Sequence, residues 1–286
     1  QEGRTQRMRE EALNIGVNQS VVCILSRPDI GQRAEGSPIV LFFNAGFLHR
    51  VGPFRLWVDL SRALTQSGYT SFRFDLNGLG DSTECENASD FSVVAIRNIR
   101  EVMDELQSRI GAREFVLVGL CSGADYGHPA MVADPRIRGG VWIDAFGYRT
   151  PWFHVQRQLQ RLLSARRLKN IVQNALRNES RTSDFPDDGV REFPTQAKSQ
   201  AEIQALLADG RRLFFVYTAG VPDYFNHERQ FWGMFPKLKP VASLRYRYFP
   251  ETDHTFSLVN ERREVQDEIL RFIVKEPAPI PQPKTP

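Results

Sequence analysis

Apolar residues along the chain fall into two alternating patterns: short unbroken runs, and longer stretches in which they recur at helical spacing. Ile39-Val40-Leu41-Phe42-Phe43 has no polar break, as expected of a strand buried on both faces of a parallel sheet. Residues 69–74, Phe115-Val116-Leu117-Val118, Gly140-Val141-Trp142-Ile143, Leu213-Phe214-Phe215-Val216-Tyr217 and residues 243–249 read as further strands, and residues 20–26 as the first. Between them, Phe54, Trp57, Leu60 and Leu64 behind Pro53 fall on one helical face. Val94, Ala95, Ile99, Val102, Met103, Leu106 and Ile110 do the same behind Asp90, a predicted N-cap. A last amphipathic helix is expected over residues 258–274. The residues up to about Asn14 are polar, without a period, and predict a loose arm.

Strand and helix in alternation predict an α/β fold, because parallel neighbours need a crossover and the helix supplies it. The expectation is a mostly parallel, doubly wound sheet that binds its ligand at the carboxyl ends of the strands. From Tyr148 to about Gly210 the strands stop, and the chain reads as long, polar and helical, interrupted at Ser183-Asp184-Phe185-Pro186. This is expected to be an inserted lid. The predicted division is a first core part over 1–147, a lid over 148–210, a second core part over 211–276, and a disordered proline-rich tail over 277–286.

Composition narrows the function. A chain of 286 residues with 41% hydrophobic content can bury one large core. A net charge of +3 is too mild to argue for nucleic acid. Zinc-type cysteine and histidine spacing is absent, as are GxGxxG and GK[ST] phosphate loops, so no cofactor or metal is expected. The 3 cysteines, Cys23, Cys85 and Cys121, lie far apart in a chain with no long apolar span, which predicts a soluble cytoplasmic protein. Cys23 reads as core packing and Cys85 as an exposed thiol.

The chemistry gathers at Gly119-Leu120-Cys121-Ser122-Gly123, where an apolar run ends in a cysteine bracketed by glycines. The pattern predicts strand, sharp turn and helix, with the backbones so close that only small residues fit two positions either side of the cysteine. The turn would lift the Cys121 sulfur above the sheet edge, where the field of the helix N-terminus favours thiolate. Such a nucleophile needs a histidine, and the histidine needs an acid to orient it. His254, directly after the final strand, is the preferred base over His49, His128, His154 and His227. For the acid, Asp223 is preferred, because its turn after the penultimate strand should point it at the final loop; Asp144 competes and Glu228 is weaker. Oxyanion donors are expected from the Ser122 N–H and the Ala45-Gly46 turn. Phe47, His49, Trp152 and Arg149 are candidate substrate contacts.

These ordered pieces resemble an α/β-hydrolase from about Ser37 to Phe272. Asn44-Ala45-Gly46 stands where that superfamily usually has a His-Gly oxyanion loop. Residues 73–82 look like its Asp-x-x-Gly-x-Gly-x-Ser segment, and nucleophile, acid and histidine follow in its order. The His-Gly is absent, and cysteine replaces the usual serine, as it does in dienelactone hydrolases and polyhydroxyalkanoate synthases. The NAGF and GLCSGAD stretches look most like a group of bacterial hydrolases that includes members associated with exosortase systems. The resemblance implies an acyl-cysteine intermediate formed from a small-molecule thioester, activated ester or lactone. It also admits an acyltransferase with a non-water acceptor, or an inactive binding protein on the same fold. The arginines of residues 149–181 would suit an acidic substrate such as an acyl carrier's phosphopantetheine thioester if they face the cleft; an acyl carrier and a second copy of the chain are the protein partners considered.

Overall fold

The computed structural model describes residues 8–29, 34, 36–83, 90–159, 191 and 193–274. Among the described residues, eight strands form one sheet: β1 (Met8–Ile15), β2 (Val21–Pro28), β3 (Ile39–Phe42), β4 (Ser71–Phe74), β5 (Phe115–Leu120), β6 (Ile137–Ile143), β7 (Arg212–Thr218) and β8 (Leu244–Phe249). Their spatial order is β1-β2-β4-β3-β5-β6-β7-β8. β1 and β2 are antiparallel to their neighbours, and every pairing from β4 to β8 is parallel.

Each unbroken apolar run divides between the two faces of the sheet because side chains alternate along a strand. Ile39 and Leu41, with Phe115 and Leu117, enter a core under α2 (Phe91–Ile110) and α3 (Ser122–Ala133). Val40 and Phe42, with Val116, Val118 and Leu120, enter the opposite core under α1 (Leu56–Gln66) and the C-terminal helix Val259–Val274. Asp90 caps α2 by accepting the Ser92 N–H, and Gly111 ends it in the left-handed region at φ 68°.

Two expectations are corrected. The arm expected up to Asn14 is β1, which runs in register with β2 from Met8 opposite Pro28 to Ile15 opposite Val21. It is an edge strand that carries Arg9, Glu10 and Glu11, so only the Leu13 and Ile15 alternation betrays it. The stretch at the end of the expected lid is α4 (Gln196–Ala208), whose Ile203 and Leu206 are buried in the same core as Phe115 and Phe215. It forms a layer of the sheet's own packing between β6 and β7. Residues 151–159 are helical. Residues 160–190 of the expected lid, Cys85 and the 277–286 tail lie outside the described residues. Among the described residues, no helix is long and apolar enough to cross a membrane.

Candidate active site

Cys121 occupies the turn between β5 and α3 with φ 55° and ψ −122°, a conformation that non-glycine residues rarely adopt. Flanking glycines make room for it. A Cβ on Gly119 would come within 2.6 Å of the Gly123 backbone, and one on Gly123 within 2.7 Å of the Asn44 carbonyl oxygen. The Cys121 N–H donates to the Ile143 carbonyl at 2.8 Å, tying the turn to β6.

His254 lies in the turn after β8, held by Asp253, whose carboxylate accepts the Thr255 N–H at 2.7 Å and the Ser257 N–H at 3.2 Å. Gly220 packs directly against His254, and any side chain there would overlap it. One face of the imidazole meets Asp144: Nδ1 is 2.7 Å from Asp144 Oδ2. The other side of the ring is hydrogen-bonded to the Cys121 thiol.

The acid at His254 is therefore Asp144, and the preference for Asp223 is corrected. Asp144 ends β6 at φ 47°, fully buried, and accepts the Thr218 N–H and the Thr218 hydroxyl, each at 2.7 Å. Those donors satisfy a charge that would otherwise be costly to bury. Asp223 instead turns outward. Its side chain is 78% exposed and lies 3.6 Å from Arg157, while its carbonyl accepts from Arg149 Nε at 2.7 Å. Glu228 has no part in the pairing either.

Electrostatics follow the geometry. Burial pushes the Cys121 thiol up, yet the hydrogen bond with His254 and the nearby Arg191 charge outweigh it and hold the thiol below its ordinary value. Burial pushes His254 down, but its bonds to Asp144 and Cys121 raise it to about 10. Both directions favour a thiolate–imidazolium pair.

Arg191 escaped the sequence reading. Its guanidinium grips Asp125 through two bonds of 2.8 Å, and donates to the Asp144 carbonyl at 3.1 Å and to the Tyr224 hydroxyl at 3.0 Å. Tyr224 donates to the same carbonyl at 2.9 Å. Asp125 stands one helical turn past Cys121, a position legible from spacing alone; Arg191 comes from a distant segment with no local signal.

The oxyanion candidates are brought together. Ser122 N–H is directed at the Cys121 sulfur. Gly46 N–H donates to Ser122 Oγ at 2.7 Å, and Ala45 is buried in a short bridge with Leu48. This turn is pinned from below by Asn44, whose amide donates to Asp75 and to the Leu48 carbonyl, each at 2.8 Å, and accepts the Leu76 N–H at 2.6 Å. Asp75 also receives the Arg50 N–H at 2.6 Å, and Gly80 is required because a Cβ would overlap its carboxylate. The glycine-rich segment of residues 75–82 thus braces the oxyanion turn.

The four substrate candidates are dispersed. Phe47 is 73% exposed beside Gly46, and Trp152 is 52% exposed in the helical residues 151–159. Arg149 is engaged by the Asp223 carbonyl. His49 stands 3.0 Å from Asp81 and 3.3 Å from Asp75, a cluster that could offer three metal ligands. Arg50 supplies the cation there: its guanidinium bonds Asp75, reaches Asp81 at 2.8 Å and lies 2.7 Å from His49 Nε2. His128 is a core residue, edge-on to Phe146 and 3.2 Å from Glu202.

Solved structures superpose on this fold. The esterase domain of a Rhodothermus marinus protein superposes with TM-score 0.54 at 14% identity, covering 94% of this chain and 100% of that one. A putative dienelactone hydrolase from Klebsiella pneumoniae gives TM-score 0.56 at 14% identity over 95% and 100%. A member of the α/β serine hydrolases without lid, from Xanthomonas campestris, gives 0.53 at 13% over 95% and 97%. This chain has the α/β-hydrolase fold. No protein-family model and no curated protein matches the sequence. At such identities the likeness speaks for the α/β-hydrolase fold alone, and the chemistry has to be argued from the residues themselves.

Proposed function

We propose that the protein is a cysteine-dependent acyl hydrolase that cleaves a thioester, activated ester or lactone through an acyl-cysteine. The observation that carries this reading is the relay of Cys121, His254 and Asp144 at the carboxyl ends of β5, β8 and β6, with His254 Nδ1 fixed 2.7 Å from Asp144. Asp144 holds the imidazole in one tautomer and stabilises its cation. The Cys121 thiolate attacks the carbonyl carbon, and the oxyanion forms beside the sulfur, within reach of the Ser122 N–H as the thiolate charge is consumed. His254 returns its proton to the leaving group, then draws a proton from the water that releases the acid.

The cysteine selects the substrate class. Thiolate is a good leaving group, so the tetrahedral adduct of a plain alkyl ester tends to collapse backward, whereas thiol, phenol or strained-ring leaving groups depart forward. Two of the structural neighbours are described as an esterase domain and a putative dienelactone hydrolase, in keeping with cleavage of a carboxylic ester.

The test is release of free acid from phenyl thioacetate, p-nitrophenyl acetate and a small enol lactone. Wild type should turn over at least the first two, and Cys121→Ala should fall to the uncatalysed rate while remaining folded by circular dichroism. A Cys121→Ala variant with near-native rates would overturn the reading.

A further inference from the structure

Ser122 follows the nucleophile, and its two polar groups face different tasks. Its N–H is directed at the Cys121 sulfur. Its hydroxyl lies 2.7 Å from the Gly46 nitrogen and accepts that N–H, the donor that the oxyanion turn was expected to offer to substrate. A serine hydroxyl accepts two hydrogen bonds and donates one. Gly46 N–H fills one accepting position, and the hydroxyl keeps its own proton to donate to an acceptor bound in the site.

We propose that the Ser122 hydroxyl is itself an oxyanion donor, standing between the Gly46 amide and the substrate oxygen. The proposal rests on the acyl-cysteine reading above. As the bond from Cys121 Sγ to the carbonyl carbon forms, the carbonyl π pair moves onto oxygen, and that oxygen accepts from both the N–H and the O–H of Ser122. The hydroxyl keeps its proton throughout. On collapse the pair returns, the bond to the leaving group breaks, and the His254 proton goes to the leaving group. Donors that themselves receive hydrogen bonds are polarised by them, so the Gly46 N–H strengthens the Ser122 hydroxyl for this task.

The opposite role would be a plug: a hydroxyl that merely occupies the Gly46 N–H until substrate displaces it. The two differ in sign. Removing a donor slows acyl transfer, while removing a plug leaves the Gly46 N–H free and holds or raises the rate.

The experiment compares wild type and Ser122→Ala in steady-state hydrolysis of phenyl thioacetate, alongside alkylation of Cys121 by iodoacetamide, a displacement that builds no oxyanion. The expected result is a kcat lower by about 10²-fold, the scale of losing one oxyanion donor, with KM within about twofold. The alkylation rate should stay within about twofold, because the thiolate is intact. A Ser122→Ala enzyme as fast as wild type, or faster, overturns the donor role and leaves the cysteine mechanism standing. A wild-type enzyme that is alkylated at Cys121 but turns over no thioester overturns the mechanism and this proposal together.

Discussion

Asp144 and Asp223 show how a side chain's role is set by where its strand ends. Both carboxylates follow strands and both precede His254 in the chain, so sequence order alone could not separate them. Two features do: the left-handed φ of 47° at Asp144, and Thr218, whose N–H and hydroxyl bind the carboxylate at 2.7 Å. Neither is visible in a hydrophobic pattern. Asp144→Asn should therefore lower kcat by about 10²-fold, less than the roughly 10⁴ lost when a serine triad loses its acid, since a thiol is already partly ionised near neutrality. Asp223→Asn should stay within about twofold, its side chain being 78% exposed. The same pair predicts a pH effect. Because His254 is raised to about 10 by Asp144 and Cys121, and Cys121 is lowered by its imidazolium, the iodoacetamide rate should rise with pH at a value below that of a free thiol. Removing the Asp144 charge lets the imidazolium deprotonate sooner, so the inflection should move to higher pH in Asp144→Asn. An unmoved inflection would mean that Asp144 does not support the pair.

At the scale of elements, the elbow is the part most open to reading from sequence. Gly119 and Gly123 flank Cys121 because a β-strand and an α-helix cross there at backbone contact, and that requirement leaves a mark in residue type. The brace beneath the oxyanion turn is half legible. Its glycines show, while the Asn44 amide linking Asp75, Leu48 and Leu76 appears only in three dimensions. Arg191 is not legible at all, since its partners Asp125, Asp144 and Tyr224 come from three other elements. Gly123→Ala tests the crossing. Its Cβ would sit 2.7 Å from the Asn44 carbonyl, so the turn carrying Gly46 must retreat. The expected cost is about 1–3 kcal/mol in thermal or urea unfolding, the range of overpacked sites, together with a lower kcat. A variant with native stability and rate would show that β3 and α3 are not held at this distance.

The whole molecule is a parallel sheet closed on one side by an antiparallel pair, and its legibility follows burial. Strands covered on both faces announce themselves as apolar runs, as β3, β5 and β7 do. β1 does not, because an edge strand needs charge on its open side. It still matters to the core. Glu10 on β1 lies 2.9 Å from Arg62 and 3.3 Å from Arg73, an arginine whose side chain is only 6% exposed. Deleting residues 1–15 should lower the unfolding midpoint and raise light scattering by opening the β2 edge, while the Cys121 elbow, several strands away, stays intact. What this sheet brings together, from the ends of β5, β6 and β8, is a thiol, a carboxylate and an imidazole, proposed above as nucleophile, acid and base. The most direct measurement of that claim is rapid acid quenching of the wild-type enzyme with phenyl thioacetate, followed by peptide mass spectrometry. The account predicts a single acetyl group on Cys121 that forms before free acid accumulates. An acetyl group on Ser122, or steady acid release with no covalent adduct, would contradict it.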